Sequence, residues 1–326
     1  MRAATFTHTG PARDVLHIID VPTPEPGPGD VRVRIATSGV NPSDVRRRGA
    51  PPAGKPAEFP LVIPHSDGAG VIDAVGPGVP ASRIGERVYT INAQYRRAFG
   101  TAAEFCVVPS AFAPHLPDNV DFAVGACLGI PALTAYHAVM LDGPVKGQTL
   151  LVQGGAGAVA HYAIQFAKLD GATVITTISS DEKAKRAKAA GADHVVNYRT
   201  EDRKTRIEEL TGGKGVDRII EVDLRANAMT YPDLLVDHGK SVIYGSGSAP
   251  IPIPSFIPTS TTLQFILVYT LTDAQRTNYV AALEWLLSAG KLQHALGERF
   301  SLDRIAEAHE RVEAGSLGNV IVELPG

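Results

Sequence analysis

The chain contains few cysteines and no excess of charge of either sign. Cys106 and Cys127 are the only two cysteines among its 326 residues, which is too few for a four-thiolate zinc site. Neither has a histidine or another cysteine at metal-ligand spacing, so we interpret both as small buried side chains. The net charge of −3 provides no general attraction to nucleic acid or to an anionic membrane.

Long hydrophobic runs are also absent from the sequence. No apolar stretch approaches the ~20 residues that a membrane-spanning helix needs, and the start MRAATFTHTG has no hydrophobic signal region. We therefore predict a cytoplasmic protein. Its hydrophobic fraction of 44% is ordinary for a globular chain, and 326 residues are enough for two domains.

Residues 149–171, TLLVQGGAGAVAHYAIQFAKLDG, predict a strand, a tight turn and a helix. The turn contains Gly155-x-Gly157-x-x-Ala160, the Ala-ended form of the dinucleotide-binding fingerprint. We assign the sharp turn to Gly155, close approach to a pyrophosphate to Gly157, and close packing of helix on strand to Ala160. The N–H groups at the helix start would face the anion. Similar turns also occur where no ligand binds.

The predicted elements change in character along the chain. Residues 1–120 are punctuated by Pro and Gly and favour an irregular β-barrel-like domain. From residue 149 to residue 245 strands and helices alternate, which predicts a doubly wound parallel sheet and an α/β fold class. The predicted strands are 31–36, 70–75, 87–91, 149–153, 172–177, 194–198, 217–222, 240–245, 262–270 and 319–324. The predicted helices are 123–141 with a break near Pro131, 158–169, 181–190, 201–210, 226–236, 273–289 and 302–314.

The end of the second strand of this α/β region, which is the first strand after the glycine turn, selects between the two nicotinamide cofactors. No acidic residue stands at the strand tip, and Ser179, Ser180 and Lys183 could receive a 2′-phosphate. This pattern favours NADP(H). The alternative is structural, because Ser179-x-x-Glu182 also fits a capping box and Lys183 could be a solvated member of the run EKAKRAK.

Three further features remain open between a functional and a structural role. Among the arginines at 46–48, we interpret Arg47 and Arg48 as a solvated face. A lone His65 predicts a packing or hydrogen-bonding residue and not a metal ligand. Gly245-Ser246-Gly247 closes a strand at its carboxyl end, so it is either a cofactor contact or a simple turn.

Several motifs together resemble one known family. They are GVNPSD at 39–44, PHSDGAGVIDAVG at 64–76, IGERVYT at 84–90, LTAYHA at 133–138, the 150–171 segment, GADHVVNYR at 191–199 and AEAHERVEAGSLGNVIVEL at 306–324. Nearly the whole chain resembles the zinc-independent quinone oxidoreductase (zeta-crystallin-like) branch of the medium-chain dehydrogenase/reductase superfamily. The resemblance implies a GroES-like β-barrel catalytic domain at 1–122 and 292–326, and a Rossmann NADP(H)-binding domain at 123–291. It implies no metal.

The resemblance also implies a set of site residues. Asn41 would lie beside the nicotinamide and is the first catalytic candidate. Arg46 is the second, since it stands where relatives have an active-site tyrosine and would favour a polar or anionic substrate. The implied NADPH-binding residues are Asn41, Thr134, Gly154, Gly155, Ala156, Gly157, Ala158, Val159, Ser179, Lys183, Tyr198, Gly245, Ser246, Phe265 and Leu267. The apolar segment 262–270 would join two copies into a homodimer.

The implied activity is NADPH-dependent hydride transfer to a quinone or related conjugated carbonyl. A quinone needs little more than positioning, so no dedicated acid is required. One alternative is reduction of an enone or enoyl double bond, with Tyr89 or Tyr95 as the proton donor. Another is a non-catalytic NADPH-binding protein with a structural or regulatory role. We expect a small-molecule substrate and neither a nucleic-acid nor a membrane partner.

Overall fold

The computed structural model describes residues 1–245, 247 and 250–325. Its strands are β1 Arg2–Thr5, β2 His17–Asp20, β3 Asp30–Val40, β4 Asp67–Val75, β5 Arg87–Tyr89, β6 Phe105–Pro109, β7 Thr149–Val152, β8 Thr173–Ile178, β9 His194–Asn197, β10 Val216–Glu221, β11 Leu235–Ile243, β12 Thr262–Phe265, β13 Leu296–Ser301 and β14 Asn319–Glu323. Its α-helices are α1 Ala12–Val15, α2 Pro42–Arg48, α3 Phe122–Gly125, α4 Leu133–Met140, α5 Ala158–Leu169, α6 Asp181–Ala189, α7 Arg203–Thr211, α8 Leu224–Asn227, α9 Tyr231–Leu234, α10 Ile253–Phe256, α11 Asp273–Ser288 and α12 Ile305–Glu313.

The chain divides into two compact units. Unit 1 contains Met1–Pro131 and Asp273–Gly326, and unit 2 contains Ala132–Thr272. These divisions differ from the predicted boundaries at 122/123 and 291/292. The main difference is helix α11, which belongs to unit 1.

Contacts within unit 1 explain the placement of α11. Asn119 Nδ2 donates a hydrogen bond to the Leu287 carbonyl oxygen over 3.1 Å. The Arg276 guanidinium lies over the Phe112 ring, 4.7 Å from its centroid. Helix α11 is therefore packed on the N-terminal part of the chain and does not belong to unit 2.

The sheet of unit 1 is organised around β3. Its strand order is β13-β14-β3-β4-β5, and β6 also pairs with β3. Val31, Val33 and Ile35 alternate along β3 and are buried in the core, as period-2 spacing requires. The predicted strand at 31–36 is confirmed and extended at both ends. Cys106, on β6, is buried as predicted, and burial raises the pKa of its thiol to about 12.

Unit 2 contains a six-stranded sheet in the order β12-β11-β10-β7-β8-β9, and every pairing in it is parallel. The doubly wound prediction and the α/β class are confirmed. Parallel strands end at a common edge of the sheet, and ligands of such folds bind outside that edge. The turns after β7, β8, β9 and β11 are therefore the ones that concern function.

Two predicted elements of unit 2 are wrong. The predicted helix at 226–236 is a series of short pieces, because β11 already begins at Leu235. The predicted strand at 262–270 ends at Phe265, and a 3₁₀ turn follows at Val268–Thr270. Phe265 pairs with Ile243, the last residue of β11, so the partner strand ends where β12 ends.

The predicted break near Pro131 is confirmed, since a π-helix at Leu128–Ala132 contains it.

Candidate functional site

The glycine turn between β7 and α5 is shaped first by Gly154. Its φ of +68° lies in the left-handed region that glycine adopts without strain. The Gly154 N–H donates to Thr177 Oγ1 over 3.1 Å, which ties the turn to the end of β8. Our assignment of the sharp turn to Gly155 is therefore wrong by one residue. Gly155 has a different role.

Gly155 allows the turn to approach strand β8 closely. A Cβ atom at this position would overlap the Thr176 Oγ1 atom, and it would also lie 2.9 Å from Thr176 Cγ2. The Gly155 N–H donates to the Thr177 carbonyl oxygen over 3.0 Å. Two consecutive threonines at the end of β8 thus hold the turn, and any side chain at 155 would displace it.

The first turn of α5 presents backbone N–H groups without side-chain obstruction. Gly157 is the N-cap residue, and no side chain caps the helix. Helix geometry leaves the N–H groups at Ala158 and Val159 without intrahelical partners. Ala160 is 1% exposed, so its small side chain fits the tight contact predicted for it. The geometry is that of an anion-binding helix start, and Ala156 lies within the same turn.

The structure brings Ser179, Lys183 and Tyr198 to neighbouring strand ends. Lys183 Nζ donates to Ser179 Oγ over 3.0 Å. The backbone N–H of Tyr198 donates to the Ile178 carbonyl oxygen over 3.2 Å, so Tyr198 follows β9 directly beside the end of β8. The Ser179 hydroxyl and the Lys183 ammonium are therefore in contact, and the half-exposed Tyr198 is joined through its backbone to the residue before Ser179.

The predicted capping box at this location is wrong in register. The N-cap of α6 is Ser180 and not Ser179, and its side chain accepts from the Lys183 N–H over 3.4 Å. Because Ser180 performs the capping, the Ser179 hydroxyl is available to contact Lys183 and a ligand.

The remaining predicted cofactor residues of unit 2 lie on three elements. Gly245 follows β11, and a Cβ there would overlap the Val222 carbonyl oxygen. Phe265 ends β12 and is 56% exposed, and Leu267 is 48% exposed. Thr134 is buried near the start of α4. Ser246, predicted with them, lies outside the described residues.

In unit 1, Asn41 is held between two buried carboxyl groups. It is the N-cap of α2 and is 5% exposed. Its backbone N–H donates to Asp44 Oδ2 over 2.8 Å, and its side-chain Nδ2 donates to Asp67 Oδ2 over 2.9 Å. The carboxamide orientation is thus fixed by the protein before any ligand arrives.

Both carboxyl groups retain their protons more strongly than in water. Burial raises the pKa of Asp44 to about 7, against the opposing effects of the Asn41 hydrogen bonds and the Arg47 charge. Burial also raises the pKa of Asp67 well above its ordinary value; the Asn41 hydrogen bond opposes this shift and the Asp44 charge reinforces it. Ionising both carboxyl groups beside Asn41 is unfavourable, because the two negative charges repel each other in a buried environment.

A chain of buried hydrogen bonds supports the Asp67 backbone. Thr101 Oγ1 donates to the Asp67 carbonyl oxygen over 2.6 Å and lies 2.7 Å from Ser38 Oγ. Ser38 Oγ lies 2.8 Å from His65 Nδ1, and His65 Nε2 lies 2.9 Å from His309 Nε2. The interpretation of His65 as a hydrogen-bonding residue is confirmed. Burial lowers the pKa of His65 to about 3, so the ring is neutral.

The three consecutive arginines have three different environments. Arg48 is 1% exposed and binds the Gly10 carbonyl oxygen and the Glu313 carboxylate. Arg47 donates to the Gln94 carbonyl oxygen over 2.9 Å and also to its side-chain oxygen. The prediction that Arg47 and Arg48 form a solvated face is wrong, because both satisfy carbonyl groups inside unit 1. Arg46 is exposed.

The two tyrosines proposed as proton donors differ in accessibility. Tyr89 is 1% exposed, and burial raises the pKa of its hydroxyl further above neutrality. Such a group is a poor acid for a substrate. Tyr95 is partly exposed, with the Arg96 guanidinium 5.2 Å from its ring centroid.

Sequence reasoning gave no role to several groups of this network. The contact of Asp44 could have been predicted from the sequence, because Asn41-x-x-Asp44 has the spacing of a reciprocal N-cap. Asp67, Thr101 and His309 had none, since their contacts join segments that are distant in sequence. Among the described residues, no three metal-ligating side chains converge and no helix is long and apolar enough to cross a membrane.

Two family models match the chain. The model of the alcohol dehydrogenase GroES-like domain matches residues 27–118, in unit 1. The model of the zinc-binding dehydrogenase matches residues 158–288, which include the α5 helix and most of the parallel sheet. The GroES-like and Rossmann components of the predicted fold are confirmed.

Individual relatives match over nearly their whole length. Human quinone oxidoreductase is 32% identical over 97% of this chain and 95% of the relative. A 2-haloacrylate reductase from a Burkholderia species is 29% identical over 100% of this chain and 99% of the relative. A mycobacterial protein solved in complex with NADPH superposes with a TM-score of 0.86 at 32% identity, covering 99% of each chain.

Proposed function

Because the chain belongs to the quinone oxidoreductase family of the medium-chain dehydrogenase/reductase superfamily, we propose that it is an NADPH-dependent reductase of a quinone or related conjugated carbonyl. NADPH, when bound, supplies the hydride. The observation that supports this proposal most is the Ser179–Lys183 contact at the end of β8, where an NAD enzyme would place an acid.

The residues of unit 2 fit a dinucleotide phosphate. The turn at 154–157 has no bulky side chain, and the Ala158 and Val159 N–H groups would bind the pyrophosphate. Lys183, Ser179 and Tyr198 would hold the 2′-phosphate with one ammonium and two hydroxyl groups. Thr134, Gly245, Phe265 and Leu267 remain proposed contacts of the nicotinamide half.

On the substrate side, we assign Asn41 a positioning role. Asp67 accepts from its side-chain amide and Asp44 accepts from its backbone N–H, so the side chain is already ordered when ligands bind. A quinone carbonyl that gains electron density needs a nearby donor and a proton from solvent. A dedicated protein acid is unnecessary for this acceptor, which agrees with the burial of Tyr89.

Titration of the purified protein with NADPH and NADH, followed by NADPH oxidation with 1,4-benzoquinone and 9,10-phenanthrenequinone, tests the proposal. We expect tighter binding of NADPH and turnover of at least one quinone. Binding without turnover of any quinone or enone would instead support a non-catalytic NADPH-binding role. Failure to bind NADPH would reject both roles.

A second candidate function is reduction of a conjugated carbon–carbon double bond. One full-length relative is a 2-haloacrylate reductase, whose substrate is an unsaturated carboxylate. The exposed Arg46 on α2 would suit such an anion. Turnover of 2-chloroacrylate or a simple enone, with no quinone reduced, would favour this function over the first.

The oligomeric state and location also remain proposals. Strand β12 is at the edge of the parallel sheet, and Phe265 at its end is 56% exposed. We propose that the edge at 262–270 pairs with a second copy, although only 262–265 form a strand. Sedimentation velocity of the protein and of Phe265→Glu would show a dimer that the variant weakens. The cytoplasm is the proposed location.

A further inference from the structure

Most arginines of unit 1 satisfy a carboxylate or a carbonyl oxygen. Eight of these guanidiniums form an exposed or partly exposed ion pair with an acidic side chain: Arg2, Arg13, Arg32, Arg83, Arg276, Arg299, Arg304 and Arg311. Arg48 pairs with Glu313. Within the described part of unit 1, Arg34, Arg46 and Arg96 are exposed and have no hydrogen bond or ion pair, although the Arg96 guanidinium lies 5.2 Å from the Tyr95 ring centroid.

Two of these three arginines are next to one structural contact. Arg47 joins helix α2 to the segment after β5 by donating to Gln94. Arg46 is one residue before this contact and Arg96 is two residues after it. The contact is buried on the Gln94 side, since Gln94 is 2% exposed. The two exposed guanidiniums are therefore carried by two elements that the protein holds together.

The segment that carries Arg96 has an unusual backbone. Asn92 and Arg96 both have a φ of +56°. Asparagine tolerates this left-handed conformation, whereas arginine adopts it only where the surroundings enforce it. Residues held in this way occur preferentially at functional sites. The Gln94 side chain, which donates to the Arg97 carbonyl oxygen over 3.0 Å, contributes to holding this loop.

Arg46 and the proposed positioning residue Asn41 belong to the same short helix, of which Asn41 is the N-cap. Helix α2 begins after Asn41, and five residues of helix rise about 7.5 Å. A guanidinium at 46 thus extends from the same short helix that Asn41 caps. Planar guanidiniums bind carboxylate and sulfonate oxygens through paired hydrogen bonds.

We propose that Arg46, assisted by Arg96, binds an anionic substituent of the substrate, so that the acceptor is a conjugated carbonyl compound bearing a carboxylate or sulfonate. This inference rests on the proposed function and names its substrate class. The nearest acid on α2, Asp44, is buried and bonded to Asn41, so it does not neutralise Arg46.

The test compares 1,2-naphthoquinone with 1,2-naphthoquinone-4-sulfonate as acceptors for the full-length protein with NADPH. We expect Arg46→Ala to lower the ratio of kcat/KM for the sulfonated over the neutral quinone roughly tenfold. Arg46→Lys should lose less of this ratio, and Arg96→Ala should lower it in the same direction. The effect should weaken at high salt, because the interaction is between charges.

Arg34→Ala is the matched control. Arg34 is also exposed and has no hydrogen bond or ion pair, but it is on β3 seven residues before Asn41, about 23 Å along an extended strand. The Arg34→Ala variant should keep the wild-type ratio of kcat/KM for the sulfonated over the neutral quinone. An equal loss with Arg34→Ala, or an unchanged ratio with Arg46→Ala, overturns the inference while leaving quinone reduction intact.

A binding measurement separates failure of the inference from failure of the proposed function. If neither quinone is reduced, calorimetric titration of the NADPH-bound protein with naphthalene-1-sulfonate still reports on the anion site. Binding that Arg46→Ala abolishes would support the site despite the wrong reaction. Binding that the variant leaves unchanged, or no binding to the wild type, would reject it.

Discussion

The side-chain amide of Asn41 donates a hydrogen bond to Asp67 Oδ2 over 2.9 Å in the interior of unit 1. Asn41 is the cap of α2, whereas Asp67 begins β4. The two meet because the antiparallel register of β3 on β4 pairs Gly39 with Asp67. The proposed positioning residue thus depends on strand pairing as well as on its own helix.

Asp67→Ala should release the Asn41 carboxamide. A buried donor left without its acceptor costs about 1–3 kcal/mol, and kcat should fall because the amide is no longer oriented. The measurements are denaturant unfolding, NADPH affinity and steady-state kinetics. Asp67→Asn is the control, since its amide oxygen can still accept from Asn41; an equal loss in both variants would argue that the hydrogen bond is not the cause.

Asp44 predicts a pH dependence of stability. Burial raises the pKa of its carboxyl to about 7 in the folded protein, whereas the unfolded value is about 3.9. Between these values the folded state binds more protons, so its free energy of unfolding falls as pH rises. Asp44→Asn cannot titrate but can still accept from the Asn41 N–H.

The difference in unfolding free energy between wild type and Asp44→Asn should therefore decrease from pH 4 to pH 7, by on the order of 3 kcal/mol. Urea unfolding at several pH values measures it. Two ionisable side chains face Asp44, namely Arg47 and Asp67. Both proteins contain them, and both contain the buried His65 and His309. A difference that stays constant across this range would show that Asp44 does not titrate as stated.

Lys183→Ala should weaken NADPH binding and leave NADH binding nearly unchanged. Loss of a charge-assisted contact with a phosphate corresponds to roughly tenfold or more in affinity. Fluorescence titration with both cofactors measures the change. Lys185→Ala is the matched control, because Lys185 is exposed on the same helix two residues further on. Equal selectivity in the Lys183 variant and the wild type would remove Lys183 from the site.

Gly155→Ala should displace the glycine turn from β8. The added methyl would overlap Thr176, and overpacking of this kind costs about 1–3 kcal/mol. Cofactor affinity should fall together with stability. Adding Thr176→Ala should recover part of both losses, since it removes the atoms that the new methyl meets. If the stability losses of the Gly155→Ala and Thr176→Ala single variants simply add in the double variant, overlap with Thr176 is not the cause of the Gly155→Ala loss.

Much of the fold could be predicted because its signals are local. The alternation of β3, the glycine turn and the strand–helix repeats follow from neighbouring residues. The Arg47–Gln94 contact could not be predicted, since a run of arginines usually faces solvent and only the tertiary structure supplies the carbonyl groups. The His65–His309 contact spans 244 positions, and nothing near either histidine indicates the other.

One strand pairing in unit 1 joins two segments that are synthesised far apart in time. Strand β14 is hydrogen-bonded to β3, so Val320 faces a residue made 280 positions earlier, Val40. A ribosome delivers all six strands of the parallel sheet before it delivers β14. Domains fold as units during translation. Unit 2 can therefore complete its sheet while β3, which already has β4 and β6 available, still lacks β14 beside residues 37–40.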